Sequence, residues 1–178
     1  MMATADWGTP ISYIVGEELE ELKQRIIRNM QAAGAVATGK TIQSIEVNSR
    51  PDGGALTFRG RMPFGVMETG RKGGRIPYGF TSIIYDWMQA KGIHGTPFPY
   101  KTDGEHKFAS AQERGDYSMA SAIAHTIAKS GTKLYREGGR DTIYSQEIPQ
   151  TVTNIKSALM RFMFAEVKSI KLNGGNTI

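Results

Sequence analysis

Residues Gly34 to Thr41, GAVATGKT, match the spacing G-x-x-x-x-G-K-[ST]. In a phosphate-binding loop of that form, backbone N–H groups cradle phosphates and the lysine reaches them. The hydroxyl holds magnesium at the start of a helix that follows a buried strand. Neither flank suits this chemistry. The preceding RIIRNMQAA has helical rather than strand periodicity, and TIQSIEVNSRPDGG leaves barely two helical turns before extended sequence and Pro51. Asp86, after Ile83-Ile84-Tyr85, imitates a magnesium-binding aspartate at the end of an apolar strand, but it lies in a helical stripe and reads as a surface residue. A nucleotide-binding protein of the phosphate-loop type, centred on Gly34–Thr41, is therefore the alternative reading and not the preferred one.

Two other groups could do chemistry. Arg59, Arg61, Arg71, Lys72 and Arg75 stand against a single Glu68 in the densest basic stretch of the chain. They are the candidate subunit-interface or DNA-channel residues, and a small basic DNA-binding module is a further alternative. A solvated strand edge guarded by arginine would explain the same residues. His94, Asp103, Glu105 and His106 are metal-capable, but their spacing matches no known site and they sit on unpatterned sequence, so they read as a solvated loop. The chain has no cysteine, which excludes thiolate metal sites, a cysteine nucleophile and disulfides. No Ser-His-Asp order, paired carboxylates or zinc-helix motif stands out. The expectation is a protein that is not an enzyme, with no catalytic residue, cofactor or metal.

The elements that must position these residues follow from periodicity. Val15, Leu19, Leu22, Ile26 and Met30 recur every three or four residues and predict an amphipathic helix to about Ala33, after a loose arm over residues 1–14. Glu17, Glu18, Glu20 and Glu21 precede Lys23, Arg25 and Arg28, the order a helix dipole favours. Ser44–Arg50 and Ala55–Gly60 read as strands joined by the turn Pro51-Asp52-Gly53-Gly54, and Gly60–Thr69, with alternating Phe64, Val66 and Glu68, as a third. The glycine-rich basic loop through Arg75 leads to a helix from Phe80. Its Ile83, Ile84, Trp87 and Met88 form an apolar stripe, and Gly92 sits where a left-handed cap would end it. That stripe, with Phe64 and Val66, is expected to be core.

A polar loop over 94–115 separates this helix from one capped by Asp116, with Met119, Ile123, Ile127 and Leu134 as its buried stripe. Pro149 then opens a long basic helix through Val152, Ile155, Leu159, Phe162, Met163 and Ile170. The expected fold is α+β: a small antiparallel sheet, a meander of three or more strands, packed with several helices and the long C-terminal helix. A single domain over 15–172 and a flexible tail at 173–178 complete it.

The chain's 178 residues, 39% of them hydrophobic and 22% charged, fit one such domain, and a net charge of +5 permits contact with nucleic acid or an acidic partner without specifying either. The N-terminus lacks the basic and apolar regions of a signal peptide, and no stretch approaches the ~20 apolar residues of a membrane span.

Several short motifs together resemble the neck or tail-completion proteins of tailed bacteriophages. They are Thr38-Gly39-Lys40-Thr41, Ser44-Ile45, the hairpin, and Phe64-Gly65-Val66-Met67-Glu68-Thr69-Gly70-Arg71. Pro77, Trp87, Lys91-Gly92-Ile93, the Ala122–Lys129 helix and Gly131-Thr132-x-Leu134-Tyr135-Arg136 extend the similarity to versions from large-genome phages, over roughly residues 15–170. The resemblance implies a structural virion protein forming a ring in the neck. The ring would be a homo-oligomer of six or twelve copies, touching portal, adaptor and tail proteins and, non-specifically, the genomic DNA in its channel. It implies location in the virion after assembly in the host cytoplasm, with no membrane. The 94–115 loop and the long basic helix depart from the family's simpler members.

Overall fold

The computed structural model describes residues 8–50, 53–58, 65–101, 104 and 106–173. In chain order these form α1 (Gly8–Ala32), α2 (Lys40–Gln43), β1 (Ile45–Arg50), β2 (Gly53–Phe58), α3 (Val66–Thr69), α4 (Phe80–Lys91), α5 (Ala111–Ser130), α6 (Lys133–Arg136) and α7 (Glu147–Asn173). Helix predominates, and the expected α+β meander is not formed. Among the described residues the sheet is a single antiparallel hairpin, registered from Ile45↔Phe58 to Arg50↔Gly53. The expected third strand ends instead as α3, where Thr69 N–H donates to Gly65 O at 3.0 Å and Gly70 N–H to Val66 O at 2.9 Å. The reason is local. Six alternating residues with Glu68 buried among them carry no clear two-faced pattern, and a turn of helix pairs its own backbone without needing a sheet edge. Phe64 lies outside the described residues.

The chain divides into two compact units rather than the single expected domain. The first holds α1, α2, the hairpin and α7. Its core is the stripe read from sequence: Val15, Leu19, Leu22, Ile26 and Met30 are all buried, joined by Ile45 and Ile143. The helix begins at Gly8, so residues 8–14 are not a loose arm; Pro10, lacking an N–H, fits the first turn.

Polar groups lace α1 to α7. Arg25 Nη2 donates to Thr151 Oγ1 at 2.8 Å, and Asn29 Nδ2 donates to Glu147 Oε1 at 3.0 Å and to Ile143 O at 3.2 Å. Arg25 Nε lies 3.0 Å from Glu147 Oε2, an ion pair whose angle is not that of an N–H···O bond. The buried face of α7 is therefore set by Thr151 near its start, while Val152 and Met163 of the expected apolar stripe are exposed.

The second unit holds α3 to α6 with the segment Gly34–Gly39. Here α4 packs on α5, and Phe80 and Met88 of the first helix and Ala120 and Ala124 of the second are buried. The alanines, at i and i+4, let the two backbones come close, so the larger Met119, expected in the buried stripe, stays exposed. The start of α5 also differs. Ser110, not Asp116, is its N-cap: Ser110 Oγ accepts from Glu113 N–H at 3.0 Å, and Glu113 Oε2 accepts from Ala109 N–H at 2.9 Å. Residues 111–115, expected in the polar loop, are thereby helical.

Because Ile26 is fully enclosed in the first unit, Ile26→Ala is expected to cost about 2–5 kcal/mol. Chemical denaturation of the variant checks this, and a change under about 0.5 kcal/mol, typical of surface positions, would show that α1 is not packed through this stripe.

Candidate functional site

The phosphate-loop pattern does not have its required frame. α1 precedes Gly34 where a strand is needed, and α2, beginning at Lys40, is four residues long before β1. The pattern is also divided, Gly34–Gly39 grouping with the second unit and Lys40 with the first. Lys91 Nζ donates to Val36 O at 2.8 Å, so a lysine of α4 occupies a carbonyl of this segment.

The metal-capable residues are placed separately. His106 stacks on Tyr100 with ring centroids 3.6 Å apart. Asp103 and Glu105 lie outside the described residues, and among those described no group of three or more His, Asp or Glu could hold a metal. His94 pairs with Asp116, the residue read from sequence as a helix cap. Asp116 is 4% exposed, and each of its oxygens accepts twice. Oδ1 takes Gly95 N–H at 2.7 Å and Gln112 Nε2 at 2.8 Å; Oδ2 takes Gln89 Nε2 at 3.0 Å and His94 Nδ1 at 3.1 Å.

Burial alone would push this carboxyl up, but the bonds from His94, Gly95, Gln89 and Gln112 outweigh it and hold the pKa well below the ordinary value. The knot joins α4, α5 and the segment after Gly92. That segment comes close enough to α5 for a Cβ on Gly115 to strike the Thr96 carbonyl.

The basic patch is only partly gathered. Arg59 and Arg61 lie outside the described residues. Arg71 is turned inward: its guanidinium lies over the Phe80 ring, 4.6 Å from the centroid, and Nη2 donates to Arg75 O at 3.0 Å. Lys72 and Arg75 remain exposed. Two glycines hold the loop in place. Arg71 N–H donates to Thr132 Oγ1 at 3.0 Å, Thr132 N–H donates to Arg71 O at 2.9 Å, and Gly74 N–H donates to Ala128 O at 2.7 Å. Gly70 and Gly131, at φ 69° and 78°, sit where any side chain would meet backbone or Arg71 O within 3 Å.

Behind this loop lies a cavity of about 280 Å³, lined by Val66, Phe80, Ile83, Trp87, Ile123 and Ile127 among others. Its wall is carbon. Arg71 and Thr132 also border it; Arg71 Nη2 and Thr132 Oγ1 are bonded within the loop, and Arg71 Nε is buried without a hydrogen-bond partner. This corrects the expectation that the Ile83, Ile84 and Trp87 stripe is core: Met88 and Phe80 are the buried members of α4, whereas Trp87 is 39% exposed. Sequence reasoning missed the cavity because isoleucines lining a hollow and isoleucines filling a core have the same period. The available signal was the neighbouring Asp116-Ala120-Ala124 row, which marks a different strip of α5 as the close-packed one.

Comparison with family models, with curated proteins and with solved structures returns no match, so the site stands on its geometry. Trp87→Ala is expected to cost under about 1.5 kcal/mol while Met88→Ala costs about 2–5 kcal/mol. Melting of the two variants side by side checks the order, and equal losses would return Trp87 to the core. Asp116→Asn sets an amide NH₂ against groups that already donate, at a cost of about 2–4 kcal/mol at neutral pH. Because the folded pKa is lowered, the carboxylate's contribution is complete above the unfolded value of ~3.9 and is lost as pH falls below it. The variant's stability should therefore fall less steeply on the acid side than that of the parent, and parallel acid limbs would show that Asp116 is not the group responsible.

Proposed function

We propose that the chain is a structural subunit of a ring in the neck of a tailed bacteriophage, extending the DNA channel from portal toward tail and docking tail components. The observation that carries this reading is the junction between two of the segments on which the resemblance rests. Glu68-Thr69-Gly70-Arg71 and Gly131-Thr132-x-Leu134-Tyr135-Arg136 are more than sixty residues apart in the chain. They are bonded backbone to backbone and backbone to side chain, with both glycines at positions only glycine tolerates. Arg140 extends the junction, its N–H and Nε donating to Glu68 O and Met67 O at 2.8 and 3.1 Å.

The surface also favours an assembly role. Among the described residues, half of the exposed large apolar side chains lie on α7: Ile148, Val152, Met160, Met163, Phe164 and Val167. An apolar edge of that length is suited to contact with neighbouring proteins. The described residues offer polar knots and an apolar cavity, arrangements that hold structure and bind carbon rather than activate a nucleophile.

Purified particles of the phage that encodes this chain should contain it in a small multiple of six copies, as ring symmetry requires. Lys72→Glu with Arg75→Glu, both exposed, should leave the subunit folded and yield filled heads without tails. Arg71 is unsuitable for that test, since it stacks on Phe80. Quantitative mass spectrometry of particles decides the matter: a protein confined to infected-cell extract and absent from particles sinks the neck reading.

A further inference from the structure

The cavity and the loop beside it form a composite surface, a carbon-walled hollow with Lys72 and Arg75 exposed along the loop that closes it. An engineered cavity of ~150 Å³ lined by apolar side chains accepts benzene, so about 280 Å³ is enough for one aromatic side chain. With no polar atom turned into the hollow, the occupant's buried part must be carbon. The basic loop asks in addition for carboxylates next to that carbon.

Besides Trp87, which lines the hollow, Met119 of α5 and Tyr135 of α6, two helical faces among the described residues present large apolar side chains to solvent. One is the outer edge of α7, with Met160, Met163, Phe164 and Val167. It carries Arg161 and Lys168 against Glu166, a cationic surface that the basic loop would repel. The other is the start of α1. Tyr13, 65% exposed, begins a row with Glu17, Glu20, Glu21 and Gln24 at i+4, i+7, i+8 and i+11, one face of the helix. Tyr13 combines an apolar ring, which can enter a carbon pocket, with a hydroxyl that can stay at the mouth. Glu20 pairs with Lys23 and accepts from Gln24, and Glu21 pairs with Arg25. Charge separates the two faces, and α1 is the complementary one.

We infer that Tyr13 of one copy enters the Val66–Phe80–Trp87–Ile127 hollow of the next, with Glu17, Glu20 and Glu21 of its α1 against Lys72 and Arg75. The contact joins two different surfaces, so it propagates from copy to copy and closes by rotation. This deepens the ring reading and rests on it for the closed stoichiometry.

The absence of cysteine allows a direct test on the full chain. Glu17→Cys and Lys72→Cys variants, mixed and oxidised, should form a covalent dimer, and the double variant should form a ladder of multiples ending at the ring. Glu166→Cys mixed with Lys72→Cys tests the α7 face and should give only background. Reversing the loop with Lys72→Glu and Arg75→Glu should weaken association by roughly tenfold or more, and adding Glu17→Lys and Glu21→Lys should restore it. The inference is overturned by cross-linking through the Glu166 variant, by closure of the double variant within one chain, or by no covalent dimer at any concentration. Should the protein nevertheless be counted in particles, the docking assignment alone is lost and the neck reading stands.

Discussion

The second unit depends on a close approach that side chains would forbid. Gly70 and Gly131 let the end of α3 and the start of α6 meet at backbone distance, with two hydrogen bonds exchanged between Arg71 and Thr132. That meeting fixes where the basic loop leaves α3, puts the Arg71 guanidinium over Phe80 and so makes the loop one wall of the cavity. A Cβ at either glycine would have to displace backbone, not the end of a flexible side chain. The Asp116 knot does comparable work on α4 and α5. Four donors on one buried carboxylate tie α4, α5 and the segment after Gly92 together, and the cavity is what remains between the helices so held.

The first unit is organised differently. Its core is one stripe of five side chains on α1, and the specificity of its pairing with α7 comes from polar groups at the border, Arg25 and Asn29 with Glu147 and Thr151. Partly buried, hydrogen-bonded charge of this kind selects a register more than it adds stability. α7 continues well past that anchor, and its outer side carries apolar residues that nothing among the described residues covers. The two units therefore use carbon in opposite ways: one closes its apolar stripe, the other leaves a hollow open.

That contrast bears on function. A protein built to be one member of a repeating assembly needs surfaces that are incomplete in the single copy and complete in the array. In the ring proposed above, an apolar hollow beside a basic loop, and an aromatic residue leading a row of glutamates, would be surfaces of that kind. Catalysis asks for a poised nucleophile or a pocket with convergent polar groups. The conspicuous polar cluster, Asp116 with its four donors, is saturated and turned to structural use.

The sequence by itself determined what depends on local period and local chemistry. The α1 stripe from Val15 to Met30, the two hairpin strands, the Gly92 end of α4 and the helical rather than strand-like approach to Gly34 were all legible, because spacing within a few residues decides each. Tertiary structure decided the rest. Whether Ile83, Ile123 and Trp87 filled a core or lined a cavity depended on how far Ala120 and Ala124 let the helices approach. Asp116 looked like a cap from its neighbours in sequence, and only the fold brought Gln89, His94 and Gly95 to it. Period reports which face of an element is apolar; what meets that face is set by contacts between residues far apart in the chain.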